Sequence, residues 1–280
     1  MIETLCVCGA GTMGSGIAQV AAQSGFKTLL FDISEAVLEK AITSIKKSLQ
    51  YLVDKEKITV TASNEIFNRI HFTCTITECI ADVFIEAIIE KLEAKLSIFN
   101  QLAAINTADS IFASNTSSLS ITAIQQEIKN PERVVGMHFF NPAQIMKLVE
   151  VVKGKLTSDA VAQTIYQLCK TMNKTPVMCK DAPGFIVNRV ARHFYLETMK
   201  LVEQGIVSIE NADTIMEASG FKMGPFKLMD LIGNDINYAV SCSVYEQLGK
   251  PERLRPSVIQ KEKVEKGLLG KKTGEGYFKY

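Results

Sequence analysis

CVCGAGTMGSGIAQVAAQSG, residues 6–25, places three glycines at Gly9-x-Gly11-x-x-Gly14 between an apolar run and a segment of helical character. Each glycine has its own physical task. The first permits a tight turn, the second lets a pyrophosphate approach the main chain, and the third lets helix and strand pack closely. Thr12 and Met13 complete the turn, and phosphates lying on it meet the positive end of the helix. The spacing alone is weak, because a glycine turn that serves only packing has the same pattern. Its surroundings decide. The next apolar run, KTLLFD, ends at Asp32, and Ile33 and Ser34 follow with no arginine nearby. A carboxylate there accepts both ribose hydroxyls of NAD and repels a 2′-phosphate. Gly9, Gly11, Thr12, Met13, Gly14 and Asp32 are therefore expected to bind NAD.

Outward from this stretch, short apolar runs alternate with helical patterns. TLCVCG, KTLLFD, DVFIEAI, SIFASN, RVVGMHFF, KLVEVV and TPVMC are nearly continuous in apolar residues, as strands covered on both faces are. Leu38, Ala41, Ile45, Leu49 and Leu52 recur at three- and four-residue spacing, which predicts one long amphipathic helix with Ser34 as its cap and Glu35 in its first turn. Alternating elements of this kind imply a Rossmann-type, doubly wound, mostly parallel sheet. After Asp181-Ala182-Pro183-Gly184 the pattern changes. Phe185 to Gly205 reads as one helix with Ile186, Val190, Phe194, Leu201 and Val202 as its apolar positions, and the later segments also look helical. The expected organisation is a dinucleotide-binding domain over 1–183 and a smaller all-helical domain over 184–280.

Composition removes several classes of function. With 31 basic and 30 acidic residues the net charge is +1 and no long block of one sign occurs, which argues against a nucleic-acid footprint or a membrane-surface helix. No stretch reaches about 18 consecutive apolar residues, so no spanning helix is expected. Met1 lies eight residues before Gly9, leaving no room for a leader peptide. Seven scattered cysteines do not form a disulfide framework, and Cys6-Val7-Cys8 reads as two small buried side chains rather than a metal pair. A cytosolic, metal-free protein is the expectation.

GMHFFNPA, residues 136–143, places one of three histidines at the end of an apolar run, just before Asn141-Pro142. A lone histidine in such a place is usually structural. The wider set of strings changes that weighting. GAGTMGSGIAQ, FIEAIIEKLEAK, ASNTSSLSIT, GMHFFNPA, LVEVV, DAPGFIVNR, MGPFKLMDLIG and GLLGKKTGEGYF, in this order and spacing, resemble the NAD-dependent short-chain 3-hydroxyacyl-CoA dehydrogenases of the 3-hydroxybutyryl-CoA dehydrogenase type over essentially the whole chain.

The resemblance implies roles. His138 is the general base for the 3-hydroxyl, oriented by Glu150, since an imidazole titrates near neutrality and a carboxylate on its other nitrogen fixes the tautomer. Ser117 hydrogen-bonds the reacting oxygen beside the nicotinamide, and Asn188 helps to hold the substrate carbonyl. Glu90, Lys95, Ser117, Asn141 and Lys272 contact NAD. Ser48, Lys55 and Ser117 contact the coenzyme A of a short-chain acyl-CoA substrate. The bland readings are a helix cap for Ser117, a local hydrogen bonder for Asn188, and solvated charges for Glu90, Lys95, Lys55 and Lys272. His71 and His193 lie outside the strings and are read as structural. Cys8 stands where a small aliphatic residue is usual and Lys227 where glutamate is common; neither touches the catalytic set. The family also implies a homodimer formed through the helical domain. Two competitors are a β-hydroxyacid dehydrogenase acting on a free acid and a non-catalytic, crystallin-like NAD-binding protein. The first lacks the GMHFFNP string, and the second has no use for an intact His138, Glu150, Ser117 and Asn188.

Overall fold

Strand β1 (Thr4–Cys8) leads through the glycine turn into helix α1 (Thr12–Gln23) and back to strand β2 (Lys27–Phe31), which pairs parallel to β1. The computed structural model describes residues 2–280, and the chain divides after Asp181 into two units. In the first, helices α2 (Glu35–Asp54) and α3 (Val60–Asn68) precede β3 (Ile70–Thr73). Then come β4 (Val83–Glu86), α4 (Leu92–Ile105), β5 (Ile111–Ser114), α5 (Ile121–Gln125) and β6 (Val134–Phe139). The unit closes with β7 (Leu148–Lys153), α6 (Asp159–Thr171) and β8 (Thr175–Lys180).

The sheet order is β3-β2-β1-β4-β5-β6-β7-β8. Its pairings are parallel except β6–β7, which is antiparallel. The strand order reverses between β1 and β4, and ligands of such sheets bind in the crevice at the carboxyl ends there. Strands β4, β5 and β6 are buried at every position, as strands covered on both faces require. Strand β3, IHFT, was not expected, because it is only four residues long and holds two polar residues, so it shows neither an apolar run nor a clear alternation. Strand β8 is a sheet edge, so TPVMC is exposed at Thr175, Val177 and Met178 despite its composition.

Helix α2 buries Leu38, Ala41, Ile45 and Leu49 as one stripe, each large member contributing about 1.5–3 kcal/mol relative to exposure. Ser34 occupies its N-cap position, but its hydroxyl makes no cap bond; its N–H instead donates to Asp32 Oδ1 at 3.0 Å.

The second unit is helical: α7 (Val187–Glu203), α8 (Ile209–Ala218), α9 (Pro225–Ile232), α10 (Asn234–Gln247) and α11 (Val258–Glu265). Its core includes Tyr195, Leu196, Met199, Phe226, Met229 and Val244. The expected face of α7 is corrected. Ile186 and Val190 are exposed, and the buried positions are Arg192, Tyr195, Leu196 and Met199. Gly205 ends this segment at φ +69, where a side chain is strained. The tail is tied to α9 through Asp230, which accepts the N–H groups of Tyr277 and Phe278 at 2.9 Å each. Gly276 has no room for a Cβ there, since one would lie 2.0 Å from Asp230 Oδ1.

Candidate active site

The glycine turn assigns a separate constraint to each glycine. Gly9 has φ +100, and a Cβ there would meet Ala87 O at 2.7 Å. A Cβ on Gly14 would stand 1.7 Å from Gly9 O, so only glycine lets α1 start this close to β1. At Gly11, the N-cap of α1, nothing lies within 4 Å of a Cβ position, so the main chain is open to a ligand. Asp32 Oδ2 accepts from Ala10 N at 2.8 Å, which fixes its carboxylate beside this turn. An open helix start for phosphates and a fixed carboxylate for a ribose diol fit NAD.

Further along the same sheet edge, the antiparallel register sets His138 of β6 directly opposite Glu150 of β7. Side chains so paired share a face and meet. His138 Nδ1 and Glu150 Oε2 are 2.8 Å apart, with the residues 5% and 1% exposed. A proton on Nδ1, donated to the carboxylate, leaves the lone pair on Nε2, which makes Nε2 the basic atom. Asn115 Oδ1 accepts from Phe139 N at 2.8 Å and so ties the end of β6 to the loop after β5.

That loop is fixed by a buried charge cluster. Lys95 Nζ lies 2.6 Å from Glu86 Oε1 and 3.1 Å from Glu90 Oε2, and its side chain is 1% exposed. Glu90 Oε1 accepts from Thr116 Oγ1 at 2.5 Å, Ser117 N at 2.9 Å and Ser118 N at 3.1 Å. Burial pushes the Glu90 carboxyl up, but Lys95 and the loop donors outweigh it and hold it below the usual range. For Glu86 burial wins, and its carboxyl is raised despite Lys95 and a 2.7 Å bond from Ser114 Oγ.

Residues 4–182 match the family model for the 3-hydroxyacyl-CoA dehydrogenase NAD binding domain, and residues 184–280 match its C-terminal domain. The chain belongs to the 3-hydroxyacyl-CoA dehydrogenase family. Its cofactor is NAD. A probable 3-hydroxybutyryl-CoA dehydrogenase of Deinococcus radiodurans is 41% identical over 98% of this chain and 99% of its own. The 3-hydroxyadipyl-CoA dehydrogenase of Escherichia coli is 46% identical over 99% of this chain; the chain spans 59% of that relative's length. The crystal structure of (S)-3-hydroxybutyryl-CoA dehydrogenase from Ralstonia eutropha superposes with a TM-score of 0.96 at 36% identity, covering 100% of this chain and 99% of that one.

The other predicted family positions fall in several places. Ser48 is half-buried on α2, and Lys55 is exposed at that helix's C-terminal end, with Nζ 5.8 Å from the Tyr51 ring centre. Asn141 is exposed just beyond β6. In the helical unit, Asn188 lies in the first turn of α7, and Lys272 pairs with Asp235 at 2.6 Å. Lys95 is interior rather than a solvated charge, and the cap of α5 is Ser120, whose Oγ accepts from Ala123 N at 3.1 Å, rather than Ser117. His71 is exposed on β3, 3.2 Å from Glu78. Sequence reading missed Glu86 and Asn115. The signal for Glu86 was a single charge inside the apolar run DVFIEAI; Asn115, a polar residue at a strand end, carried no comparable one.

Proposed function

We propose that this chain interconverts (S)-3-hydroxybutyryl-CoA, or a similar short-chain 3-hydroxyacyl-CoA, and the 3-ketoacyl-CoA, with NAD as oxidant and NADH as reductant. The observation that supports it most is the buried 2.8 Å contact between His138 Nδ1 and Glu150. In oxidation, His138 Nε2 takes the proton of the 3-hydroxyl, and the Glu150 carboxylate stabilises the imidazolium that forms. Bound NAD supplies the acceptor for the C3 hydride. In reduction, protonated His138 returns the proton to the oxygen.

Ser117 and Asn188 hydrogen-bond the reacting oxygen and the thioester carbonyl. Glu90 and Lys95 set the position of the Ser117 loop while contributing with Asn141 and Lys272 to the cofactor site. Ser48 and Lys55 contact coenzyme A, a remote handle whose binding energy helps to position the reacting carbon. The helical unit mediates a homodimer; Val190, Ile206, Ile215, Phe221 and Ile236 are each at least half exposed there, and light scattering at micromolar protein reads the mass. The cytosol is the proposed compartment, consistent with seven cysteines that are all free thiols.

The deciding comparison is NADH oxidation with acetoacetyl-CoA against free acetoacetate. The thioester is expected to react and the free acid to give no more than a trace. Equal rates would favour a free-acid dehydrogenase, and tight NADH binding with neither rate would favour a non-catalytic protein.

A further inference from the structure

The loop between β5 and α5 carries Ser117, and its two ends are held by different carboxylates. At the front, Glu90 Oε1 accepts from Thr116 Oγ1, Ser117 N and Ser118 N, and Asn115 N donates to Glu86 O at 2.8 Å. At the rear stands Asp181, 61 positions from Ser120 in the chain. Its Oδ2 accepts from Ser120 Oγ at 2.6 Å and from Thr122 N at 2.8 Å. Ser120 is the N-cap of α5, and its Oγ also accepts from Ala123 N at 3.1 Å. A hydroxyl that donates to a carboxylate while accepting from a main-chain N–H has its proton and its lone pair fixed together. Helix α5 is only five residues long, too short to be held by its own hydrogen bonds, so its start depends on ties from outside. Asp181 is fixed in turn, since its N–H donates to Lys153 O at 2.9 Å, at the paired ends of β7 and β8.

We infer that Asp181 is a positioning residue for the reaction: it ties the rear of the Ser117 loop to the end of β7, the strand that carries Glu150. The inference rests on the proposed dehydrogenase reading, in which Ser117 hydrogen-bonds the reacting oxygen. Two bonds then join this loop to the strands of the acid–base pair. Asn115 Oδ1 accepts from Phe139 N, next to His138 on β6, and Asp181 joins Ser120 to the end of β7. Ser117 lies between these two points, so its distance from the imidazole is set from both sides. A reacting group displaced by about 1 Å loses much of its effect, which gives the second tie a catalytic consequence. Asp181 acts through Ser120 and Thr122, and these two donors require an oxygen at the Oδ2 position rather than a charge. Asparagine supplies such an oxygen, and alanine supplies none. A role confined to holding α5 would lower stability alone and leave the turnover of the folded protein unchanged.

The experiment compares the native protein with Asp181→Ala and Asp181→Asn. It reads kcat for acetoacetyl-CoA reduction, the NADH dissociation constant, the melting temperature, and hydrogen exchange over residues 117–125. In Asp181→Ala that segment is expected to exchange about tenfold faster or more, while residues 12–23 keep their native rate. Its kcat is expected to fall about tenfold or more. NADH affinity is expected to change little, because the glycine turn and Asp32 are untouched. Asp181→Asn is expected to return kcat close to the native value. Unchanged exchange over 117–125 in Asp181→Ala overturns the tie. Native kcat in folded Asp181→Ala overturns the positioning role, even where the melting temperature has dropped. If Asp181→Ala fails to fold, Ser120→Ala replaces it, since it removes one of the two donors; kcat is expected to fall with NADH affinity kept, and a native kcat overturns the role. A native protein that does not reduce acetoacetyl-CoA overturns the dehydrogenase reading and with it the role, while exchange still reads the tie.

Discussion

Lys95 and Arg192 are both buried cations, one in the sheet unit and one in the helical unit, and their surroundings are opposite. Lys95 bridges two carboxylates, Glu86 and Glu90, and through Glu90 it reaches the loop that carries Ser117. Arg192 donates to main-chain oxygens, an amide and a hydroxyl and lies 4.9 Å from the Tyr195 ring centre, and none of these is an anion. A cation neutralised from within is part of the architecture, because both partners are present before any ligand arrives. A cation held only by neutral acceptors carries an uncompensated charge into the interior. Burial alone does not tell the two apart; the partner list does.

The contrast can be broken by exchanging each cation for an apolar side chain of similar length. Lys95→Met leaves Glu86 and Glu90 without their shared cation and is expected to cost about 3–5 kcal/mol, the cost of removing one partner of a buried pair. For a unit of this size that lowers the melting temperature by roughly 10 °C. A change within about 2 °C would mean that Lys95 is not the cluster's counter-charge. Arg192→Met removes a charge that nothing inside the fold compensates, so it is expected to leave the melting temperature unchanged within about 1 kcal/mol or to raise it. A loss as large as that of Lys95→Met would make Arg192 architectural.

A smaller effect reads the charge on Glu150. Burial first, and then Glu150 and Asp181, push the Cys179 thiol up to about 12. Only the thiolate is nucleophilic, so at pH 8 iodoacetamide is expected to alkylate exposed Cys74 at least about tenfold faster than half-buried Cys179. Glu150→Gln should narrow that gap, and an unchanged gap would argue that Glu150 is not ionised.

Much of the fold was legible in the sequence, for identifiable reasons. The glycine turn, Asp32 and the apolar runs of β1, β4, β5 and β6 have patterns that few alternatives share. Strand β3 was missed because four residues of half-buried character carry little periodicity, and the buried face of α7 was misjudged because its centre is an arginine. Apolarity is a poor guide where burial is reserved for a charge. At the site, His138 and Glu150 could be named, but their contact depends on an antiparallel register between β6 and β7 that residue spacing does not determine. Glu86 and Lys95 lie nine residues apart and meet only because α4 returns over the end of β4; their identity as a pair is a tertiary fact.

The account depends above all on His138 acting as the acid and base held by Glu150. Its most direct test is the turnover of His138→Gln in acetoacetyl-CoA reduction, measured with the NADH dissociation constant of the same preparation. Turnover is expected to fall by about 10² or more while NADH affinity changes little, as loss of a general acid–base group requires. Turnover within a few-fold of the native value, at unchanged NADH affinity, would contradict it.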